Sequence, residues 1–222
     1  MNTTLRIALA VLLTAVVAQN AAAQWNNARL DGGRNRIYMT VGLDPAVIST
    51  VGYARVVPVL GHDFQLATDV GLVTARLDTH DFKARVEVQT PVMRWQSLQL
   101  SGAAAFVTRG TQNSVYRGLD FGADATATLG VYRRGWFAGA QFGKDKDIVT
   151  HITHTKWYRE HVYPDAKDGW YLDCGGTFHY GLTAGVTLGR TELVGRAGFR
   201  RTEDWNPIMP PFYGSLGIGV PF

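Results

Sequence analysis

Hydrophobic residues recur in this chain with a period of two. Between residues 82 and 92, Phe82, Ala84, Val86, Val88 and Val92 share one parity, while Lys83, Arg85, Glu87 and Gln89 share the other. Successive side chains of a strand point to opposite faces, so this spacing makes one apolar and one polar face; a helix would need apolar residues three and four apart. The pattern returns along the chain. Ile37, Met39, Val41 and Leu43 oppose Tyr38, Thr40 and Gly42, and Phe64, Leu66, Val70 and Leu72 oppose Gln65, Asp69 and Gly71. Leu98, Leu100, Ala104 and Phe106 oppose Gln99, Ser101 and Ala103, and Phe121, Ala123, Ala125, Leu129 and Val131 oppose Asp120, Asp124, Thr126 and Thr128. Phe178, Tyr180, Leu182, Ala184, Val186 and Leu188 alternate with His179, Gly181, Thr183, Gly185 and Thr187, and Leu193, Ala197 and Phe199 with Glu192, Arg196 and Arg200. Two further strands fall at about 50–57, where Arg55 leaves the faces open, and 136–143.

The last strand carries a second signal. Phe212, Leu216, Ile218, Val220 and the terminal Phe222 share one parity, against Tyr213, Ser215, Gly217 and Gly219. This ending resembles the closing strand of bacterial outer-membrane β-barrels, which typically end on an aromatic residue preceded by apolar residues at every second position. The resemblance implies an all-β, antiparallel, up-and-down transmembrane β-barrel, and the alternating segments number about ten strands. It also implies a place in the outer membrane of a Gram-negative-type bacterium, contact with membrane lipid and lipopolysaccharide, and recognition of the Phe222 terminus by the barrel-assembly machinery.

An exported protein needs a leader, and the N-terminus reads as one. A short segment with the single charge Arg6 precedes a continuous apolar run, Ile7 to Ala18, and Ala21, Ala22 and Ala23 stand before Gln24 as small residues do at a signal-peptidase site. Residues 1–23 are read as a signal peptide and 24–222 as the barrel domain, with a polar lead-in from Gln24 to Arg34. The apolar run is too short for a spanning helix. Cys174 is the only cysteine, which excludes an internal disulfide. The net charge of +4, one unit of it in the leader, is too small and too scattered to indicate nucleic-acid binding.

With the N-terminus in the periplasm, the connections on that side are short: 60–63, 94–97, 133–135 and 189–191. Those opposite, around Asp44, Asp78, Gly110, Lys144 to Gly175 and Glu203 to Pro210, read as mostly longer and more polar, the asymmetry of an outer-membrane barrel. Trp95, Tyr132 and Trp136 at short turns, and Trp157, Trp170 and Trp205 opposite, would suit two interfacial girdles. The competing architecture is a secreted soluble barrel of the lipocalin or avidin kind, with the faces reversed.

In the membrane reading, the lumen receives Asp63, Asp69, Lys83, Arg85, Glu87, Asp120, Asp124, Glu192, Arg196 and Arg200, with Gln65, Gln89 and Gln141. Such residues make either a salt-bridged plug or a narrow, porin-like pathway that selects solutes by charge and size, chiefly at Lys83, Arg85, Glu87, Asp124 and Arg196. A barrel this small leaves no wide channel. The expected function is thus a narrow solute pathway or a structural, surface-binding role.

The segment Lys144 to Gly175 reads as a long external loop with three histidines. On a helix, His151, His154 and His161 would share one face and could bind zinc or a similar divalent metal; on a strand, His151 and His154 would point oppositely. Asp78, His80, Asp81, Asp147 and His151 resemble in layout the acidic residues and histidine at the rim of omptin proteases, without a matching motif. A surface hydrolase acting on lipopolysaccharide or peptides, with His151, His154 and nearby acids at the rim, is therefore the alternative. Ser114 and Cys174 have no base beside them in sequence.

Overall fold

A computed structural model describes residues 25–26, 35–43, 46–59, 62–74 and 79–222. The strands are β1 (Asn35–Leu43), β2 (Val47–Val59), β3 (His62–Val73), β4 (Phe82–Trp95), β5 (Leu98–Gln112), β6 (Tyr116–Tyr132), β7 (Trp136–His154), β8 (Gly169–Leu188), β9 (Thr191–Thr202) and β10 (Pro207–Pro221). Each pairs antiparallel with its sequence neighbours, and β1 pairs with β10, so the sheet closes on itself. The result is the ten-stranded up-and-down barrel that the alternation predicts. The leader, most of the lead-in and the connections around Asp44 and Asp78 lie outside the described residues.

Two segments read as loops are strands. The stretch from Arg109 is still paired through Gln112, with Arg109 opposite Asp120. The turn is only 113–115, where Asn113 Oδ1 accepts from the backbone N–H groups of Val115 and Tyr116. Lys144 to Gly175 is mostly the outer half of β7 and the beginning of β8, joined by a helix α1 (Lys156–His161). Alternation failed to reveal it because Lys144, Asp145, Lys146 and Asp147 interrupt the apolar series, and because the ladder shifts between Asp147 and Val149. One bulged residue exchanges the faces of everything beyond it. Strands β5 to β8 consequently rise as a tall flap on one side of the rim, and the expected contrast in connection length narrows to the β3–β4 and β7–β8 links.

The polar parity faces inward. Gln65, Asp69, Glu87, Gln89, Ser101, Asp124, Thr126 and Thr128 are buried, while Ile37, Val51, Val70, Val86, Phe106, Leu182 and Leu216 are exposed outside. Arg55, ambiguous in sequence, belongs to the outer face with Val51 and Tyr53. Tyr132, expected in a girdle, instead turns inward, stacked on Phe137 at 5.4 Å and hydrogen-bonded to Ser101.

The many glycines on the polar parity make room for inward aromatic rings. A Cβ on Gly52 would lie 2.3 Å from the Tyr38 ring and one on Gly185 2.2 Å from Phe137. Gly219 opens the same space for Trp25, and Gly181 and Gly198 for Tyr213. The chain thus fills its lumen by laying a large ring from one strand over a bare backbone on another.

Candidate functional site

The lumen differs at its two ends. At the short-turn end, Trp25 and Asn26, read from sequence as part of a lead-in outside the barrel, are instead tucked inside it. Trp25 is 1% exposed, with its ring centroid 5.3 Å from that of Tyr38 and 4.9 Å from the Arg36 guanidinium. The Asn26 backbone N–H donates to Glu192 Oε1 at 2.5 Å, its side chain donates to the Arg133 carbonyl, and Arg36 pairs with Glu192 at 3.1 Å. Trp25 and Tyr38 join Ala54, Ala67, Tyr132, Phe137 and Val194 in a buried apolar cluster.

Above that seal the lumen becomes ionic. Tyr38 donates to Asp69 Oδ2 at 2.8 Å, and Arg85 grips both oxygens of Asp69, Nε to Oδ1 at 3.0 Å and Nη2 to Oδ2 at 2.8 Å. A buried carboxylate needs this many donors to offset its lost hydration. Glu87 is buried in the same part of the lumen.

Toward the long loops the lumen opens. A chamber of about 100 Å³ is lined by Asp69, Lys83, Arg85, Asp124, Gln141, His179, Arg196, Arg200 and Tyr213, with Leu43 and Ile48. Thr126 and His179 Nε2 share a hydrogen bond of 2.9 Å, and Gln141 donates to the Tyr213 hydroxyl. Ile48, Lys83, Asp145 and Arg200 also line a vestibule of about 390 Å³, completed by Ala46, Val73, Asp81, Phe82, Arg109 and Asp147. Arg109 there holds Asp120 at 3.1 Å and Asp147 at 2.7 Å, and also bonds Asp145.

Of the residues expected in the lumen, Asp69, Lys83, Arg85, Asp124, Arg196 and Arg200 line this one chamber, and Glu87 lies buried among them. Asp63 is exposed at the short-turn end. Sequence reasoning missed Arg109, Asp145 and His179 as site residues and Trp25 as a seal. The first two continue the inward parity of their strands and would have been found by running the alternation through the polar stretches. Trp25 carries no such signal, because its burial depends on contacts with β1 and β10.

No protein-family model matches the sequence, and no curated protein matches it.

The three histidines engage separate partners. His151 sits edge-on to Trp170 at 4.9 Å, His154 Nδ1 lies 3.1 Å from Asp168, and His161 Nδ1 lies 3.0 Å from the Trp157 carbonyl. Among the described residues no group of three or more His, Cys, Asp or Glu could hold a metal ion. The rim set divides between two places. His80 and His151 line a cavity of about 380 Å³ with Phe82, Arg117 and Leu119, whereas Asp81 and Asp147 line the inner vestibule. The Ser114 carbonyl accepts from the Thr155 hydroxyl, and Cys174 is exposed with its thiol toward the Tyr171 carbonyl.

Proposed function

We propose that this protein spans a bacterial outer membrane and holds a small polar solute in a blind cup open toward the long loops, acting as a surface-binding protein. The membrane reading is supported by the distribution of side chains. A barrel in water would expose its polar face, yet here Leu, Val, Ile and Phe cover much of the outside and most of the strand carboxylates are inside, an arrangement that suits an apolar medium. Backbone groups in such a medium are satisfied only by helices or a closed sheet, and this sheet is closed.

The observation that carries the binding role is the asymmetry of the lumen: Trp25 is 1% exposed at one end, while a charged vestibule opens at the other. A solute can enter from the loop side, but a through-path meets the tilted Trp25–Tyr38 pair and the stacked rings of Tyr132 and Phe137. This favours binding over the narrow pathway and over surface hydrolysis, whose rim residues engage Trp170 and Asp168.

The test combines fractionation with electrical recording. The mature protein is expected in the outer-membrane fraction, with different gel mobility when boiled and unboiled, and silent in planar bilayers. Trp25→Ala is expected to produce steady conductance and to destabilise the barrel by about 3–5 kcal/mol, as large buried aromatic truncations do. A soluble periplasmic protein without a mobility shift would reverse the assignment of the faces, and steady conductance of the wild type would replace the cup with a pore.

A further inference from the structure

The outer face of the flap carries a pocket unlike the apolar wall below it. Directly paired residues of neighbouring strands point to the same side of a sheet, so the register aligns Phe82, Gly110, Leu119, His151 and Trp170 in one outward row across β4 to β8. Arg117 and Thr153 pair in the next outward row toward the tip. Gly110 is bare, and the β3–β4 connection lies against it: a Cβ there would meet the Phe82 ring at 2.4 Å and the His80 carbonyl at 2.6 Å. Between connection and sheet lies the cavity of about 380 Å³, whose polar lining is Thr79, His80, Arg117, His151 and Thr153.

Its height on the barrel is informative. A tilted strand crosses the hydrocarbon in about ten residues. Counted from the short turns, that stretch ends near Thr108 on β5, Gly122 on β6 and Lys146 on β7. Phe106 and Phe121 stand at the upper edge of the apolar wall, and the cavity lies just above them, at the level of lipid head groups. A strip of rings joins the two, Phe106 to Phe121 at 6.2 Å, Phe121 to Trp170 at 6.2 Å and Trp170 to His151 at 4.9 Å.

Charge decides what fits. Arg117 is exposed, and no carboxylate is among the described residues lining the cavity; Asp81 instead accepts from the Gln112 backbone N–H and lines the inner vestibule. Elsewhere on the outer face, Lys144 and Lys146 are matched by Glu203 and Asp173. A guanidinium, two imidazoles and two hydroxyls with no acid among them suit a phosphate. The cavity is of ligand size, larger than a bare phosphate fills, and its threonines suit further hydroxyl groups.

We infer that this cavity holds the head group of an outer-leaflet lipid, a phosphorylated sugar: its phosphate on Arg117 beside His80 and His151, its hydroxyls on Thr79 and Thr153, and an acyl chain descending past Phe121 and Phe106. The inference rests on the membrane reading and is independent of what the lumen holds.

The test is native mass spectrometry of the folded barrel in non-ionic detergent, titrated with bisphosphorylated lipid A, dephosphorylated lipid A or phosphatidylglycerol. One lipid A is expected to remain bound per barrel, and each comparison lipid to bind about tenfold or more weakly. Arg117→Glu is expected to weaken lipid A about tenfold or more, whereas Lys156→Glu, the same charge reversal at the exposed tip of the flap, leaves it unchanged. The lipid series on the wild type decides the matter if Arg117→Glu fails to fold. A barrel that shifts on boiling yet binds dephosphorylated lipid A or phosphatidylglycerol as well as lipid A, or binds lipid A equally with Arg117→Glu, overturns the head-group site alone. A soluble periplasmic protein without a mobility shift overturns the membrane reading beneath it.

Discussion

Asp69 shows how a single lumen residue is held. It takes one hydrogen bond from Tyr38 and two from Arg85, so removing one donor and removing the acceptor are different perturbations. Tyr38→Phe deletes a bond and is expected to lower stability by about 1–2 kcal/mol. Asp69→Ala strands the Arg85 guanidinium and is expected to lower it by about 3–5 kcal/mol. Denaturant titration of the refolded barrel measures both, and equal losses would contradict the fork. Gly185 tests the other kind of lumen contact. A Cβ there meets the Phe137 ring at 2.2 Å and the Leu193 carbonyl at 2.9 Å, so Gly185→Ala is expected to destabilise by about 1–3 kcal/mol despite adding only a methyl group. The inward placement of Asp69 and Gly185 is legible in their parity, but their partners are not. Neither Tyr38 against Gly52 nor Phe137 against Gly185 can be paired before strand register is known.

Among the elements, the β7–β8 hairpin departs furthest from its sequence reading. Beyond Lys144 the apolar alternation is lost and a bulge changes parity, yet pairing continues to His154 because neighbouring β6 and β8 offer backbone partners at the same height. Thr155 then caps α1 by accepting from the Tyr158 N–H, and Asp168 ties the tip together, accepting from the backbone and ring of His154 and from Arg159. The bond from Arg159, then that from the His154 backbone, lowers the Asp168 carboxyl to about 2. Because its folded value lies below the ordinary carboxylate range, the clamp is fully present above about pH 4 and lost as pH falls through about 2. Hydrogen exchange over 155–168 is expected to stay slow at pH 4, and to become fast there in Asp168→Asn. Unchanged protection in that variant would mean that α1 is held by something other than the clamp.

At the scale of the whole molecule, closure depends on β1 meeting β10, and the terminal residue adds little to it. Phe222 is 63% exposed, and its backbone N–H donates to the Asn35 carbonyl at 3.0 Å. Deleting Phe222 is therefore expected to leave the refolded barrel's stability within about 0.5 kcal/mol, as for surface changes generally. Its yield in the outer-membrane fraction is expected to fall severalfold if the terminus acts as the assembly signal that its resemblance implies. Parallel measurement of refolded stability and membrane yield separates the two roles, and an equal loss in both would make Phe222 structural.

The sequence by itself determined the all-β class, about ten strands and which residues share a face, because a period of two is a local property and such segments satisfy their backbones by closing into a ring; the closed structure decided that the polar parity is the one that turns inward. The sequence also named most of the charged residues of the chamber, since residues of one parity share a face wherever their neighbours lie. Tertiary structure alone decided that Trp25 is buried at one end of the lumen, that Tyr38, Phe137 and Tyr213 lie over bare glycines, and that Arg85 grips both oxygens of Asp69. Those outcomes depend on register and on the reach of side chains across the lumen, which bring together residues far apart in the chain and leave no periodic trace in it.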